Sequence, residues 1–289
     1  MSYELRSYEP ADREAYLGLL RQAWGARAMS GEVFDWWFTG NPAGSLMSVA
    51  RIDGHVVGVA AHSLARMVLD GEEQIASFSV HATTHESARG QGIFAGLERK
   101  HEREAAERGV AVVLAFASAP TAPIFLGPLG WVEVGRLRVW ARPLVAQAPA
   151  PVDRVRFDEP RDAAEVWPNH VVRDAQHLNW RFGDSPKGYR VLSDDSGYAV
   201  VGRTRYRGMD TAVLADFVGG SKELLRRAVS AAAGRALIAL PAPEQRRLFA
   251  SLGFMPAPYT LHFMGKPLAG TLNLDAAAWR FTLGDTDFF

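Results

Sequence analysis

An internal repeat constrains the fold of this chain more than any other feature of its sequence. Four residues of the first half recur 144 positions later, as the pairs Trp36 and Trp180, Phe38 and Phe182, Pro42 and Pro186, and Gly44 and Gly188. Chance matching of common residues is the alternative explanation, but a gapless match that contains Trp favours duplication. We therefore expect two copies of one fold.

The repeat also suggests where one copy ends and the next begins. Residues 145–152 are rich in Pro and Ala, which is typical of a linker. We expect a first domain over residues 1–144 and a second over residues 153–289. The second copy is shorter between its Trp and the segment Phe249 to Gly253, which repeats Phe125 to Gly130.

What the shorter copy lacks includes the turn of a strand–turn–helix segment, Ile75 to Gly109, in the first copy. Its strand alternates apolar with polar residues, a period of two: Phe78, Val80 and Ala82 against Ser79, His81 and Thr83. A helix is predicted from about Ala95 to Arg108, with Gly109 at its C-terminal end.

Two glycines stand in the turn before this helix. Gly90 and Gly92 allow backbone N–H groups to converge without hindrance from a Cβ atom. Because the helix begins there, free amides and the positive end of the helix dipole point outward together. The turn therefore predicts an anion cradle that fits a pyrophosphate; a tight turn without a ligand is the alternative.

The longer string from Ala82 to Phe94 resembles the acyl-CoA signature of the GNAT superfamily of N-acyltransferases. Arg89 and Gly92 match that signature, whereas Phe94 stands where the family usually has Gly or Ala. The resemblance implies an α+β fold: two GNAT-like domains, each a mixed, mainly antiparallel twisted sheet flanked by helices. It also implies acetyl-CoA as the donor and a set of donor-binding residues: Ala82, Thr83, Thr84, Arg89, Gly90, Gln91, Gly92, Ile93, Phe94 and Ser118.

The second copy lacks the Arg-containing pattern of the turn. Its helix start, Gly219 to Ser221, reads more simply as an N-cap for the helix that follows. We therefore expect a degenerate second copy and donor binding in the first copy alone.

Composition narrows the chemistry further. The chain has no Cys, which excludes a cysteinyl acyl-enzyme and Cys-ligated metals, and no metal is expected. Lys+Arg and Asp+Glu both total 32, and this balance argues against a protein built to bind nucleic acid. Neither a signal peptide nor a membrane-spanning segment is visible, so we expect a cytoplasmic protein with no membrane partner. The sequence does not predict an oligomeric state.

The expected reaction is direct attack by an amine on the thioester in a ternary complex, with a small molecule as the acceptor. His81 is the candidate general base, because it lies on the strand beside the expected thioester position and histidine accepts a proton at neutral pH. A structural histidine is the alternative. Many GNAT enzymes resemble one another in using a Tyr to protonate the leaving thiolate; here that position is Phe125. A non-catalytic acyl-CoA sensor is therefore a second hypothesis.

Overall fold

The structure is a computed structural model that describes residues 3–145, 156–158, 167–206, 208–219 and 221–287. Most of the expected linker, residues 146–152, lies outside the described residues. In the first half of the chain the strands are β1 (Glu4–Ser7), β2 (Ser45–Ile52), β3 (His55–Leu69), β4 (Glu72–Thr84), β5 (Val112–Ala117) and β6 (Val132–Pro143). The helices of this half are α1 (Arg13–Trp24), α2 (Gly31–Phe34), α3 (Ile93–Glu107) and α4 (Ala122–Leu126).

From α2 onward, the second half repeats this order and adds a last strand. Its strands are β7 (Asn169–Val171), β8 (Arg190–Asp194), β9 (Gly197–Tyr206), β10 (Met209–Val218), β11 (Ala236–Ala239), β12 (Met255–Pro267) and β13 (Trp279–Arg280). Its helices are α5 (Ala175–Leu178), α6 (Lys222–Ala231) and α7 (Arg246–Ser251). The chain is thus an α+β protein, as the sequence predicts.

The chain folds as two compact units whose bounds differ from the sequence repeat. Unit 1 comprises Met1–Met67, Glu72–Gly135 and His262–Leu274, and unit 2 comprises Val68–Gly71, Arg136–Leu261 and Asp275–Phe289. Each unit therefore takes a strand segment from the other half of the sequence. The expected boundaries 1–144 and 153–289 stay a prediction about the two copies along the chain.

Unit 1 is a mixed sheet in the order β1-β2-β3-β4-β5, followed by the second half of β12. The pairs β1–β2 and β2–β3 are antiparallel, β4–β5 is parallel, and β5–β12 is antiparallel. The core packs α3 and α4 against β5, with Ala105, Val113 and Phe125 among its buried residues. The predicted strand–turn–helix is confirmed as β4 and α3.

Unit 2 repeats this plan with the order β8-β9-β10-β11, followed by the end of β6. The pair β9–β10 is antiparallel, and β10 and β11, the strands on either side of α6 in the sequence, are parallel, like β4 and β5 on either side of α3. Leu224, Phe249 and Phe254 are buried in its core. Two mainly antiparallel sheets flanked by helices confirm the predicted fold class.

The repeat is clearest where each copy turns into its first hairpin. In both copies a side-chain oxygen caps a four-residue helix, from Ser30 to the Val33 N–H at 3.2 Å and from Asp174 to the His177 N–H at 2.7 Å. A π-helical turn follows in each, over Asp35–Thr39 and Asn179–Gly183, at the same 144-residue offset.

No helix in the described ranges is long and apolar enough to cross a membrane.

Candidate acyl-CoA site

The site begins where two parallel strands of unit 1 part. β4 and β5 pair over four residues each, from Ala76 with Val112 to Ser79 with Ala115. β4 then continues to Thr84 without further pairing to β5 in the described part of the chain. Because unpaired strand edges bind extended ligands through main-chain hydrogen bonds, this opening suits a pantetheine arm. Ala82, Thr83 and Thr84 lie half-buried along it.

His81 stands in β4 just beyond the last pair and has a left-handed backbone, with a φ of 48°. Non-glycine residues rarely adopt this conformation, and such strain concentrates at functional sites. The half-buried imidazole has its ring centroid 6.1 Å from each of three aromatic rings, those of Trp24, Trp37 and Phe38. Ser79, by contrast, bonds a carboxylate of α3. The left-handed residue thus interrupts the alternation predicted for this strand, and the two side chains have different neighbours.

The glycine turn leads from β4 into α3 and leaves amides unpartnered. Gly90 and Gly92 have φ values of 77° and 76°, and an added Cβ at either would meet no atom within 4 Å. The first intrahelical bond of α3 runs from the Gly96 N–H to the Gly92 carbonyl at 2.9 Å. The N–H groups of Ile93, Phe94 and Ala95 come before it and have no partner among the described residues. Open space, free donors and the helix dipole meet at this turn.

The two polar side chains of the turn flank these donors. The exposed Arg89 donates from Nε to the Thr84 carbonyl at 3.3 Å, so its guanidinium lies next to the opening of β4. Gln91 Oε1 is buried, and the described residues provide it with no hydrogen-bond partner.

Three further side chains near the turn have local partners, and two of them, Ser118 and Phe94, are predicted donor-binding residues. The hydroxyl of Ser118 is 3.1 Å from that of Thr121, in the turn between β5 and α4. Phe94 packs edge-to-face on Phe125, with ring centroids 5.6 Å apart. His85 bonds Ser87 through Nδ1 at 2.7 Å and caps a short helical turn.

A buried polar cluster was missed by the sequence analysis. Ser79 Oγ donates to Glu98 Oε1 at 2.9 Å, and Glu98 Oε2 lies 2.9 Å from His62 Nε2. His101, one helical turn after Glu98, lies against His62 with ring centroids 4.6 Å apart. The Glu98–His101 spacing of three residues on one helix was the signal that could have found it.

The geometry agrees with the comparisons with known proteins. Residues 4–134 match the family model described as an acetyltransferase (GNAT) domain. No curated protein matches the chain in sequence.

Solved structures show the same fold over nearly the whole chain. Eis1 from Mycobacterium abscessus is 16% identical with a TM-score of 0.60, covering 92% of this chain and 74% of its own. A GCN5-related N-acetyltransferase from Anabaena variabilis ATCC 29413 is 12% identical with a TM-score of 0.64, covering 93% and 73%. Another from Kribbella flavida is 13% identical with a TM-score of 0.61, covering 91% and 70%. At these identities the likeness concerns the fold.

Residues 4–134 thus match a GNAT acetyltransferase domain, and over the rest of the chain the likeness to solved structures is one of fold.

Proposed function

We propose that the first copy binds acetyl-CoA at the turn Arg89–Phe94 and transfers its acetyl group to the amine of a small molecule. The observation that carries this proposal is the set of unpartnered N–H groups at the start of α3, beside the opening between β4 and β5. A helix N-terminus with free donors is suited to a diphosphate. The adjacent strand edge is suited to the pantetheine arm, so the thioester comes to lie near His81.

The transfer forms one bond and breaks one bond at the carbonyl carbon of the acetyl group. The amine nitrogen attacks the thioester carbonyl carbon, a C–N bond forms, and the C–S bond breaks to release CoA as the thiolate. An alkyl ammonium has a pKa of about 10, so a base must remove a proton before attack at neutral pH. Main-chain N–H groups of β4 near Ala82 to Thr84 are the donors proposed to stabilise the oxyanion.

His81 is proposed as the base that takes this proton, directly or through water. Its position beyond the last β4–β5 pair supports the role, as does its left-handed backbone. The aromatic rings of Trp24, Trp37 and Phe38 fix the imidazole on several sides.

The leaving group needs little assistance. Phe125 is 4% exposed and packs on Trp131, with 4.7 Å between the ring centroids. Its phenyl ring has no proton to donate to the leaving thiolate. A free thiol has a pKa of about 8.5, and CoA therefore leaves readily as a thiolate. The lack of a proton donor at Phe125 also favours the second candidate function, a protein that binds acyl-CoA without turnover.

Calorimetry with CoA tests the binding site. Gly92→Glu places a carboxylate in the cradle, and we expect affinity to fall by at least about 100-fold, since juxtaposed like charges cost several kcal/mol. Gly109→Glu is the matched control, because Gly109 ends the same helix with a φ of 73° and equally open space. Unchanged affinity in Gly92→Glu would refute the assignment, as would equal losses in both variants.

Turnover separates the two candidate functions. Because the chain has no Cys, a thiol reagent reports released CoA without a background from the protein. Acetyl-CoA is supplied with a panel of amino sugars, amino acid derivatives and simple amines. Thiol release that depends on one acceptor supports the transferase. Binding with no release across the panel supports the non-catalytic alternative.

A further inference from the structure

Three ligand-type side chains meet in the core of unit 1, outside the acyl-CoA site. His62 of β3, with Glu98 and His101 of α3, are all fully buried. One candidate ligand atom from each lies within 4.8 Å of the others. Ionisable side chains are rarely placed in a core unless they pair with each other or bind a metal.

A serine anchors each of the three side chains. His62 Nδ1 lies 2.8 Å from Ser77 Oγ, and His101 Nε2 lies 2.9 Å from Ser48 Oγ. The third anchor is the Ser79 hydroxyl, which donates to one oxygen of Glu98. Metal-binding histidines have this arrangement, in which the second ring nitrogen donates to a partner that fixes the tautomer.

The anchors leave one atom of each side chain for a common ligand. His62 Nε2 and Glu98 Oε2 face each other at 2.9 Å. His101 Nδ1 is buried and has no hydrogen-bond partner in the ranges that the structure describes. A neutral imidazole with a vacant lone pair is the form that ligates metals.

We propose that His62, Glu98 and His101 form a binding site for a divalent transition-metal ion, with Zn²⁺ as its occupant. Two imidazoles and one carboxylate are ligands that Zn²⁺ takes readily, whereas Mg²⁺ and Ca²⁺ prefer oxygen alone. This site departs from the sequence-based expectation of no metal, and it goes beyond the proposed transfer reaction.

The geometry requires only small adjustments to admit the ion. Tetrahedral Zn²⁺ with bonds of about 2.0–2.1 Å separates its ligand atoms by about 3.3 Å. His62 Nε2 and Glu98 Oε2 must therefore part by about 0.4 Å, and the farthest pair must close by at most about 1.5 Å.

A hydrogen-bonded cluster without metal is the competing explanation. It satisfies His62 and Glu98 but leaves the Nδ1 lone pair of His101 buried and unpaired. Buried polar atoms are rarely left unpaired, so the metal accounts for one more observation than the cluster alone.

Metal content tests the proposal directly. The protein is purified without a polyhistidine tag, stripped with a chelator, exposed to Zn²⁺, Co²⁺ or Mg²⁺ and separated by gel filtration. We expect about one Zn²⁺ per chain by mass spectrometry and the visible absorption of four-coordinate Co²⁺, with no retention of Mg²⁺. A wild-type protein that retains far less than one equivalent of Zn²⁺ would overturn the proposal.

Variants assign the ion to these side chains. Glu98→Gln keeps the shape but removes the anionic ligand, and we expect loss of stoichiometric Zn²⁺ and of the Co²⁺ absorption. Ser48→Ala keeps all three ligands and removes the anchor of His101, which should weaken Zn²⁺ affinity by about 10- to 100-fold in competition with a chelating dye.

The control is His55→Gln, since His55 is exposed on the β2–β3 hairpin and could take up metal adventitiously. It should bind Zn²⁺ as the wild type does. Loss of the ion in His55→Gln, or unchanged affinity in Ser48→Ala, would contradict the assignment. If Glu98→Gln fails to fold by circular dichroism, the affinity of Ser48→Ala decides.

Discussion

The two copies differ most at the start of their main helices. In the first copy, Gly92 precedes α3 in a left-handed conformation, no side chain caps the helix, and its first N–H groups remain unpartnered among the described residues. In the second, the Ser221 hydroxyl accepts from the Leu224 N–H at 3.1 Å and caps α6. An added Cβ at Gly219 would lie 2.1 Å from the Ser196 carbonyl oxygen, so this turn is also crowded. One fold therefore leaves its first helical N–H groups unpartnered among the described residues in one copy and caps one of them with a side chain in the other.

The strands that precede these helices, β4 and β10, also carry different residues at corresponding positions. His81 stands five residues after Ala76, the first residue of β4 paired to β5. Asp216 stands five residues after Thr211, which has the same place in β10. Asp216 is 1% exposed and accepts from Arg173 Nε at 2.9 Å, so the second copy fills this place with a structural ion pair. The difference teaches that a few side chains and their local backbone distinguish the two copies, while the order of strands and helices is shared.

Exchange of His81 should have the largest effect on turnover. His81→Asn removes the proton acceptor but retains a residue that tolerates left-handed backbone, so the fold and CoA affinity should be preserved. Loss of a general base should lower kcat by about 10²- to 10⁴-fold and remove the corresponding limb of the pH profile.

The matched control in the second copy is Asp216→Asn, which should leave the activity of the folded fraction unchanged. It should lower the free energy of unfolding in urea by about 1.5–3 kcal/mol, because the buried Arg173 would keep only one of its two carboxylate partners, Asp285. A full wild-type kcat in His81→Asn would show that the comparison is wrong at this position.

A second difference between the copies should appear as acid sensitivity. His177 of α5 stands at the position of Val33 in the first copy, and burial, with Arg173 nearby, lowers the pKa of His177 to about 4. An unfolded histidine titrates near 6.5, so as pH falls from about 6.5 to 4 the unfolded chain binds a proton that the native state excludes. The unfolding free energy that His177 contributes is fully present above about pH 6.5. It falls by up to about 3 kcal/mol as the pH decreases to about 4.

His177→Val should abolish this part of the pH dependence and make the second copy resemble the first. The measurement is urea unfolding of both proteins between pH 7.5 and 4.5, with the exposed His55→Gln as a control that should follow the wild type. Parallel stability curves for His177→Val and wild type would contradict the assignment.

The smallest expected effect concerns the helix cap of the second copy. Ser221→Ala removes the hydroxyl that accepts from Leu224 and should cost about 1 kcal/mol of unfolding free energy. CoA affinity should not change, because binding is proposed for the first copy alone. A second CoA-binding event in this variant, detected by calorimetry, would mean that the Ser221 cap alone prevents CoA from binding at the start of α6.

Much of the fold was predictable because its signals are local. The repeat of Trp36 at Trp180 predicted two copies, and the π-helical turns of both copies now share its 144-residue offset. The strand–turn–helix around Gly92 followed from glycines and periodicity, which act between neighbours in the sequence. The conformation of this turn could therefore be predicted, whereas its role in donor binding stays a prediction.

The rest depended on contacts between residues far apart in the chain. Nothing local indicated that each compact unit takes a segment from the other half, such as His262–Leu274 in unit 1. The left-handed backbone of His81 contradicts its strand-like pattern, because departures from local preference arise only where packing imposes them. Arg173 and Asp285, 112 residues apart, also meet only after folding.

The sequence by itself determined a duplicated α+β chain with one glycine turn suited to a diphosphate, because residues a few positions apart set backbone conformation. Tertiary structure alone decided that β4 parts from β5 at Ser79, and that His62 meets Glu98 and His101 in the core. Strand pairing and burial depend on segments that are far apart in the chain. The packing of those segments brings together side chains whose neighbours in the sequence do not indicate a common site.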